Sequence, residues 1–523
     1  MKKISILFCI GLAFSISTLA QTDGTLDSTF NGTGILMSDN GFHDIYNDVR
    51  IQDDQKIVAS GVSLNSSYVG RVIVDRWMTD GSPDTTFGVN GRATHYIGND
   101  SYGYDSYILN NGKILVAGCA YGHLGGFAAM ILRLNSDGSI DTSFGSQGAT
   151  LVDISTSDDF ASAMAVQPDG KILISGTYTD TLFHNVPMVM RFSEEGEIDT
   201  SFGVNGRAEI PVTGTDNELT SISVMQDGRI IAAGHYETAF TFFDVLLIRF
   251  HPDGTLDSTF GTNGFVIQSL TSGIEDCFGM ELADNGKIVI TGFTTLPDYS
   301  FDLLVMQFDS TGVLDNGFGT GGAITFNNGT NDVGLDVYIQ NDHKILICGT
   351  SGGDWANDRD FLLMRYTQNG IPDSTFGTNG IVYTQMNGSF DEANAMTLQA
   401  DGKIVLAGKA NDPVGGNLDF ALARYQNGFS TRVPEIITEK SLPVFPNPVH
   451  RNATVRIPFS AAGSGTIQWI SPEGKCVAGS EWTSATGGKS SLEIPVPSEL
   501  NAGVYFIRCV NSRASYTGKV IVQ

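Results

Sequence analysis

The chain has 523 residues, enough for a large repeat domain and a small second domain. Hydrophobic residues make up 41% of it and aromatic residues 10%, so packed cores are expected and global disorder is excluded. The formal net charge of −27 argues against nucleic acid or anionic membranes as partners, and the 62 glycines favour turn-rich β-structure.

The N-terminus has the pattern of a secretory signal. Lys2 and Lys3 precede a short apolar run, and Thr18-Leu19-Ala20 forms a small-residue cleavage site. Polar sequence follows at once, which disfavours a retained membrane helix, and no later segment is apolar enough to span a membrane. We therefore expect residues 1–20 to be a signal peptide and the mature chain to be exported.

Two short phrases recur along most of the chain in step with each other. The phrase LD-[ST]-x-FG returns at intervals of 57 or 58 residues, with small variations, and its phenylalanines are Phe30, Phe87, Phe144, Phe202, Phe260, Phe318 and Phe376. The basic residues of the phrase DGKI-x-x-AG are Lys56, Lys113, Lys171, Arg229, Lys287, Lys344 and Lys403. A strict period of this size indicates a solenoid, an array or a propeller.

Each repeat contains four strand-like runs. In the third full copy they cover residues 161–166, 172–177, 188–192 and 207–212, and a glycine turn lies between the first two. Four short strands and two glycine turns per unit are typical of a propeller blade. The predicted fold class is therefore all-β, with a seven-bladed β-propeller over residues 21–428. We interpret the repeated phenylalanine as a packing anchor between blades.

The phase of the repeat predicts how the propeller closes. A strand at 35–38 precedes the first complete unit, and the last unit ends at 420–425 without a further LD-[ST]-x-FG phrase. We expect the N-terminal strand to pair with the last blade, because this pairing removes two open sheet edges.

Residues 26–428 resemble the delta-60 repeat family, a set of secreted bacterial propeller-like proteins, through these two phrases. The resemblance implies the propeller fold. It brings no established catalytic residues.

Composition changes after Tyr425. Residues 441–523 contain seven Lys and Arg against four Glu, and no Asp, in a chain that is otherwise strongly acidic. This change predicts a linker at 429–441 and a second domain at 442–523. Alternating runs at 454–459, 466–470, 491–495, 503–510 and 519–522 predict a small Ig-like β-sandwich.

The second domain resembles the C-terminal sorting domain of type IX secretion. The matching segments are FPNP at 445–448, PEGK at 472–475, GVYFIR at 503–508 and KVIV at 519–522. The resemblance implies the type IX machinery as a partner and passage across the outer membrane. It leaves open whether the protein is then released or attached to the cell surface. A generic sandwich added for stability or binding is the other interpretation.

Five cysteines remain after the signal segment. Cys119, Cys277 and Cys348 lie at or beside strand positions in different repeats, and we expect buried free thiols there. Cys476 and Cys509 either form a disulfide or remain free. No pair of cysteines has a zinc-type spacing.

Catalytic patterns are weak. The eight histidines share no repeat position and have no metal-type spacing. The segment at 349–353 matches the G-x-S-x-G pattern and would make Ser351 a nucleophile. That pattern works on a strand-to-helix turn, whereas a second strand is expected here, so we predict no catalytic residue.

Acidic residues recur just before the first strand of each repeat. They are Asp44, Asp100, Asp159, Asp216, Glu275, Asp332 and Asp391. If that strand is innermost, these residues surround one mouth of a central channel. They then either cap turns through backbone N–H groups or form a cation or ligand site. We predict no cofactor, and calcium is the ion to test.

These observations favour an exported, noncatalytic binding or surface-interaction protein with a glycan or protein ligand. The alternative is an extracellular glycan-active hydrolase or lyase on a propeller scaffold. Unlike insertions at 178–188, 236–243, 293–301 and 350–360 are the loops in which we would seek a ligand.

Overall fold

The structure is a computed structural model, and the chain divides into two compact units between residues 429 and 430. The described residues are 23–122, 125–208, 210–211, 214–238, 242–271, 273–295, 300–353, 359–386, 388–412, 416–428, 440–441, 447–450, 453–457, 463–470, 476–484, 492–498, 500, 502–511 and 515–523. The predicted signal peptide lies outside them. Their regular structure is entirely β, so they include no helix that could cross a membrane.

The first unit contains twenty-seven strands in its described part. The first fourteen are β1 (Ile35–Ser38), β2 (His43–Ile51), β3 (Ile57–Leu64), β4 (Gly70–Trp77), β5 (Arg92–His95), β6 (Ser101–Ile108), β7 (Ile114–Tyr121), β8 (Phe127–Leu134), β9 (Ala149–Val152), β10 (Asp159–Val166), β11 (Ile172–Thr179), β12 (Asn185–Phe192), β13 (Asn217–Val224) and β14 (Ile230–Thr238). The others are β15 (Phe242–Phe250), β16 (Phe265–Gln268), β17 (Glu275–Leu282), β18 (Ile288–Thr295), β19 (Phe301–Phe308), β20 (Ala323–Phe326), β21 (Asn331–Ile339), β22 (Ile345–Gly352), β23 (Arg359–Tyr366), β24 (Ile381–Thr384), β25 (Glu392–Leu398), β26 (Ile404–Asn411) and β27 (Leu418–Tyr425).

These strands form small antiparallel sheets in chain order. The groups are β2–β5, β6–β9, β10–β12, β13–β16, β17–β20, β21–β24 and β25–β27. One parallel bridge, between His43 and Leu418, joins the first group to the last. The first strand of each sheet contacts the first strand of the next, and β25 contacts β2. The first strands therefore succeed one another in a closed cycle.

The predicted closure by the N-terminal strand is confirmed. Strand β1 pairs antiparallel with β27, from Ile35 opposite Ala423 to Ser38 opposite Phe420. At the inner strands, the Asn394 side chain on β25 donates a hydrogen bond of 2.8 Å to the Tyr46 carbonyl on β2. Both ends of the unit thus contribute to one sheet, in which β1 covers the outer edge of β27.

The third sheet differs from the prediction in its fourth run. Strands β10, β11 and β12 extend the three predicted runs by a few residues at their ends. Of the run predicted at 207–212, residues 209, 212 and 213 lie outside the described part, and Arg207 forms two isolated bridges, to Met190 and to Val204. Pro211 lies in this segment, and proline has no N–H for a sheet ladder.

The acidic residue of LD-[ST]-x-FG explains why the repeat phrases recur. Asp141 accepts hydrogen bonds from Arg133 Nε at 2.6 Å and from Lys113 Nζ at 2.7 Å. The Arg133 guanidinium lies 4.6 Å from the Phe144 ring centre and donates to the Glu194 carbonyl of the next sheet at 2.6 Å. One cluster thus joins the second strand, the third strand and the repeat phrase of one sheet to its neighbour.

Six of the seven repeats contain the same arginine–aspartate pair. The pairs are Arg76–Asp84, Arg133–Asp141, Arg191–Asp199, Arg249–Asp257, Arg365–Asp373 and Arg424–Asp27. In the remaining repeat Gln307 stands in place of the arginine, and Lys287 donates hydrogen bonds to both Gln307 and Asp315. The recurrent arginine was missed in the sequence, although it stands eight residues before each aspartate but Asp27.

The repeated phenylalanines have the predicted packing role. All seven are fully buried. Phe144, for example, belongs to a core cluster that contains Ile131 of the second sheet and Ile174 of the third. The next repeat's Gly196 has φ +86°, and a Cβ there would come within 2.6 Å of the Phe144 ring. The Glu195-Gly196 turn therefore needs glycine for both its conformation and its contact with the anchor.

The second unit has a five-stranded and a two-stranded sheet. Its strands are β28 (Lys440–Ser441), β29 (Thr454–Ile457), β30 (Gly463–Ile470), β31 (Cys476–Ser484), β32 (Leu492–Pro495), β33 (Gly503–Asn511) and β34 (Ser515–Val522). The sheet orders are β28-β34-β33-β30-β31 and β29-β32, with Trp469 and Ile494 in the core. The sequence did not predict β31, whose apolar residues are few and do not alternate regularly.

The cysteines of the first unit are free and buried, as predicted. Burial raises the pKa of the Cys119 thiol to about 12. Cys476 and Cys509 lie on β31 and β33. Their side chains fall outside the described part of the structure, so their pairing stays a prediction.

Candidate functional site

The seven acidic residues predicted to form a ring lie at the starts of the first strands or just before them. Asp332 is fully buried and accepts hydrogen bonds from Asn328 N at 3.0 Å and Ser351 Oγ at 2.5 Å. Asp391 and Asp159 likewise accept backbone N–H groups of the loop before their strand. Glu275 accepts the N–H of Thr271 in the same way. These contacts are those of turn caps.

Two of the seven acidic residues lie one residue before the repeat position that the other five occupy. Asp100 and Asp216 precede the aligned sites, which hold Ser101 and Asn217 opposite the second strands. Asp100 accepts the N–H of Gly70, and Asp216 accepts the Asn185 amide. Among the described residues, Asp44 is the only member of the predicted ring in a three-carboxylate group compact enough for a metal ion.

A cavity of about 410 Å³ lies among the first strands of all seven sheets. We call it the central cavity. Each of these strands has a β-bulge at the cavity, such as the one between Tyr46 and Asp48. The residues that follow the bulges are Asp48, Asp105, Ala163, Ser221, Gly279, Asp336 and Ala395. The carboxylates of the cavity are thus set by a local shift in register.

Arg50 joins two of these carboxylates. Its Nε lies 2.9 Å from Asp48 Oδ2 and its Nη2 lies 2.7 Å from Asp105 Oδ1. Asp48 also accepts the N–H of Ser106 on the next sheet, and Asp105 accepts the N–H of Met164 on the sheet after that. The arginine side chain retains 43% of its exposure. These groups hold neighbouring strands together and leave the guanidinium in contact with the cavity.

Asp336 and Glu281 face the cavity farther around the cycle. Asp336 accepts backbone N–H groups of Val337 and Met396, each at 2.8 Å. Within the described chain no group donates a hydrogen bond to the Glu281 carboxylate, which is partly buried and lines the cavity. The pKa of Asp336 is raised to about 7 mainly by burial, and that of Glu281 is raised to about 7 by burial and by the nearby Asp336 charge. The cavity therefore holds a pair of acids that titrate near neutral pH.

The raised pKa values give a testable pH dependence. The folded protein keeps a proton on Glu281 up to about pH 7, whereas an unfolded glutamate loses it near pH 4.3. The free energy of unfolding from this group is thus largest below about pH 4 and falls as the pH rises to 7. Glu281→Gln is expected to increase stability at pH 8 by about 1–3 kcal/mol and to change it little at pH 4.5.

Urea unfolding of the full chain at several pH values measures this effect. The matched control is Glu195→Gln, because Glu195 is exposed in a turn. An equal pH dependence for the Glu281→Gln variant and the parent protein would show that Glu281 ionises normally.

Two protein-family profiles match the sequence. The profile of a β-propeller domain of unknown function, DUF5122, matches residues 109–144, 167–202, 226–260, 340–376 and 399–427. That of the secretion system C-terminal sorting domain matches residues 443–523. The chain carries DUF5122 β-propeller repeats and a type IX C-terminal sorting domain. Both resemblances found in the sequence are confirmed, and the sorting domain marks the chain for export to the cell surface or the medium.

Several solved structures align with the chain at low identity. PorZ, a surface component of the type IX secretion system of Porphyromonas gingivalis, aligns over 90% of this chain and 68% of its own, with 10% identity and a TM-score of 0.32. A glucose dehydrogenase aligns over 60% and 95%, with 12% identity and a TM-score of 0.37. A PL25 ulvan lyase aligns over 74% and 94%, with 10% identity and a TM-score of 0.39. Likenesses this remote carry no inference about function, and no curated protein matches the sequence significantly.

Ser351 and two of the histidines considered as catalytic candidates make hydrogen bonds within the first unit. Ser351 is buried on β22, where it donates to Asp332 and accepts the Asn328 amide. His235 lies 3.0 Å from Asp276, and His95 bonds the Gly138 carbonyl. His123 lies outside the described residues. The other histidines do not join the compact carboxylate group among the described residues.

Proposed function

We propose that this protein is exported by type IX secretion and acts outside the cell as a noncatalytic binding protein. Its first unit is a seven-bladed propeller with the β25–β27 and β1 strands as the last blade, and its second unit is an Ig-like sandwich. The closed cycle of first strands and the β1–β27 pairing support the propeller with this blade count. The sorting-domain match at 443–523 supports the export route.

The central cavity is the binding site in this proposal. Asp48, Asp105, Asp336 and Glu281 face it with one compensating cation, Arg50. The decisive observation is Glu281, whose carboxylate has no hydrogen-bond donor within the described chain. A buried carboxylate is stabilised by an opposite charge, so the cavity favours a ligand with a cationic group, such as a lysine or arginine side chain of a protein partner.

A binding experiment tests this proposal with defined probes. The full chain is applied to an array of basic, neutral and acidic peptides in parallel with a glycan array. Basic peptides are expected to bind, and Glu281→Gln is expected to weaken them at least tenfold while Glu195→Gln does not. Binding to glycans alone, or binding that Glu281→Gln leaves unchanged, would contradict the cationic-ligand proposal.

An export experiment tests the other half. Deleting residues 442–523 is expected to leave the protein in the periplasm of a type IX-competent host, whereas the full chain reaches the surface or the medium. Cell fractionation and immunoblotting measure the distribution. A deletion confined to 431–438 is the control and should be exported. Export of the 442–523 deletion would overturn the proposed route.

A glycan-active enzyme is the second candidate, and one observation favours it. Glu281 is protonated up to about pH 7 beside a second acid, Asp336, which is a state suited to a general acid. If this function holds, the protein releases reducing or unsaturated ends from a polysaccharide, and both Glu281→Gln and Asp336→Asn abolish the release. Activity retained in both variants would exclude this site.

A further inference from the structure

Three carboxylates meet where the two ends of the first unit join. They are Asp39, which follows β1, Asp44 on β2 and Asp419 on β27, and a ligand oxygen from each lies within 4.8 Å of the others. We call this group the seam triad. The three residues come from the two chain ends that close the cycle of sheets, so anything that binds them all holds the closure together.

Asp44 carries an unsatisfied atom. The residue is fully buried, and although Asn40 N donates to its Oδ2, no hydrogen bond of normal geometry reaches its Oδ1. The pKa of Asp44 is raised to about 6, mainly by burial and in smaller part by the Asp39 charge, while the Ser63 hydroxyl, the Asn40 N–H and the Arg92 charge lower it. Burial and the charges of Asp39 and Asp412 also raise the pKa of Asp419.

The nearest guanidinium does not neutralise the seam triad. Arg92 is bound at both ends of the Asp75 carboxylate, at 2.8 and 2.6 Å. The Arg92 charge is therefore largely paired with Asp75, and it does not balance the three carboxylates of the seam triad.

The positions equivalent to the seam triad recur between other neighbouring sheets, where they hold different residues. After the fifth sheet, the equivalents of Asp419, Asp39 and Asp44 are Asp302, Asn327 and Asp332. There the Asn327 amide donates to Asp302 Oδ1 at 2.7 Å, which supplies a donor between the two carboxylates. The seam has Asp39 in place of that asparagine, and so lacks the donor.

The other described sets of equivalent positions do not hold three acidic residues either. After the first sheet the Arg71 guanidinium donates to the Tyr96 hydroxyl at 2.9 Å. The other equivalent triples are Ala128–Asp153–Asp159, Asp244–Ser269–Glu275 and Asp360–Gln385–Asp391. Of the copies whose three positions are all described, only the seam triad has carboxylates at all three.

We propose that the seam triad binds one divalent cation, best matched by calcium, which clamps β1, β2 and β27 together. Calcium takes six to eight oxygen ligands in flexible geometry, and Asp39 is exposed, so water completes the shell from that side. The cation takes the place of the hydrogen-bond donor that Asn327 supplies to Asp302. Magnesium fits less well because it demands a near-ideal octahedron.

Thermal unfolding of the full chain after removal of metal with EDTA tests the clamp. Calcium at about 1–5 mM, which exceeds the dissociation constants of about 0.1–1 mM typical of extracellular calcium modules, is expected to raise the midpoint by several degrees. Magnesium at the same concentration should raise it less. Isothermal titration calorimetry should show one high-occupancy site that depends on Asp39.

Asp39→Asn is the decisive variant because it reproduces the arrangement at Asn327. It should raise the midpoint without metal and abolish the calcium-dependent rise. Asp153→Asn makes the same change at the equivalent position beside Ala128, and its calcium response should equal that of the parent protein. No calcium response in the parent protein, or an undiminished response in Asp39→Asn, would overturn the proposal.

Discussion

Replacing Arg133 with methionine is expected to lower the free energy of unfolding by about 3 kcal/mol. Both partners of the Arg133–Asp141 pair keep only 8% of their side-chain exposure, so the change leaves a largely buried carboxylate with Lys113 as its one charged partner. Burial alone would raise the pKa of Asp141, but the hydrogen bonds from Lys113, Ser143 and Arg133 hold it well below its usual range. The stability that this carboxylate contributes is present above about pH 4 and falls as the pH decreases below that.

Urea unfolding at pH 7 measures the loss, and two further variants identify its cause. Arg133→Met combined with Asp141→Asn should recover part of the stability, because no unpaired charge remains. Lys113→Met removes a partner that is 30% exposed and should cost about 1 kcal/mol or less. If Arg133→Met costs no more than Lys113→Met, the arginine is not the main partner of Asp141.

The second large effect is expected at the closing strand. Leu36 is 4% exposed and pairs with Leu422. Arg424 N donates to Gly34 O, so Leu36–Leu422 is the next hydrogen-bonded pair of this antiparallel ladder. Leu36→Pro removes one ladder hydrogen bond and the packing of a buried leucine, which together cost about 3–5 kcal/mol. It also exposes β27 as a free edge, from which we expect association between copies.

Val382→Pro is the matched control for Leu36→Pro. Val382 pairs with Leu363 on the equivalent fourth strand of the sixth sheet, which is held within one continuous segment of chain. Both variants should lower the unfolding midpoint, but only Leu36→Pro should add concentration-dependent oligomers in light scattering. Equal association by the two variants would show that β1 is an ordinary edge strand.

The repeat made most of the fold predictable. The phenylalanines and the paired glycine turns recur in almost every unit, because every pair of sheets needs the same anchor and the same hairpins. The period also predicted that the strand at 35–38 pairs with the last unit, since a missing strand at one end was matched by an extra strand at the other. The strand β31 was less predictable because its apolar residues do not alternate regularly, and the run at 207–212 contains Pro211, which cannot donate to a sheet ladder.

The central cavity could not be found in the same way. Its acids do not recur, since Asp48, Asp105 and Asp336 occupy three of seven bulge positions and Glu281 follows one bulge only. A bulge inserts one residue, so a simple alternation assigns the following side chains to the wrong face. The sequence instead indicated acids such as Asp332, which recur because they cap a turn that is present in several repeats.

The seam triad was hidden for a different reason. Asp39 and Asp44 are separated from Asp419 by most of the first unit, and none of them is unusual in its own segment. Only the register of β1 against β27 brings them together. Once the register is known, comparison with Asn327 shows which residue departs from the common pattern.

The pairing of β1 with β27 also orders the events of synthesis. Ile35 leaves the ribosome about 390 residues before its partner Ala423, and the entropy of closing a loop that long grows only with the logarithm of its length. The entropy cost of closure is therefore modest at equilibrium, but closure can occur only after nearly the whole first unit has been synthesised. Until β27 has been made, β1 has no partner strand and is open to contact with other chains. The last strand of the first unit is thus made before the sorting domain at 443–523, so a chain presented to the export machinery by that domain already contains every strand that the closure needs.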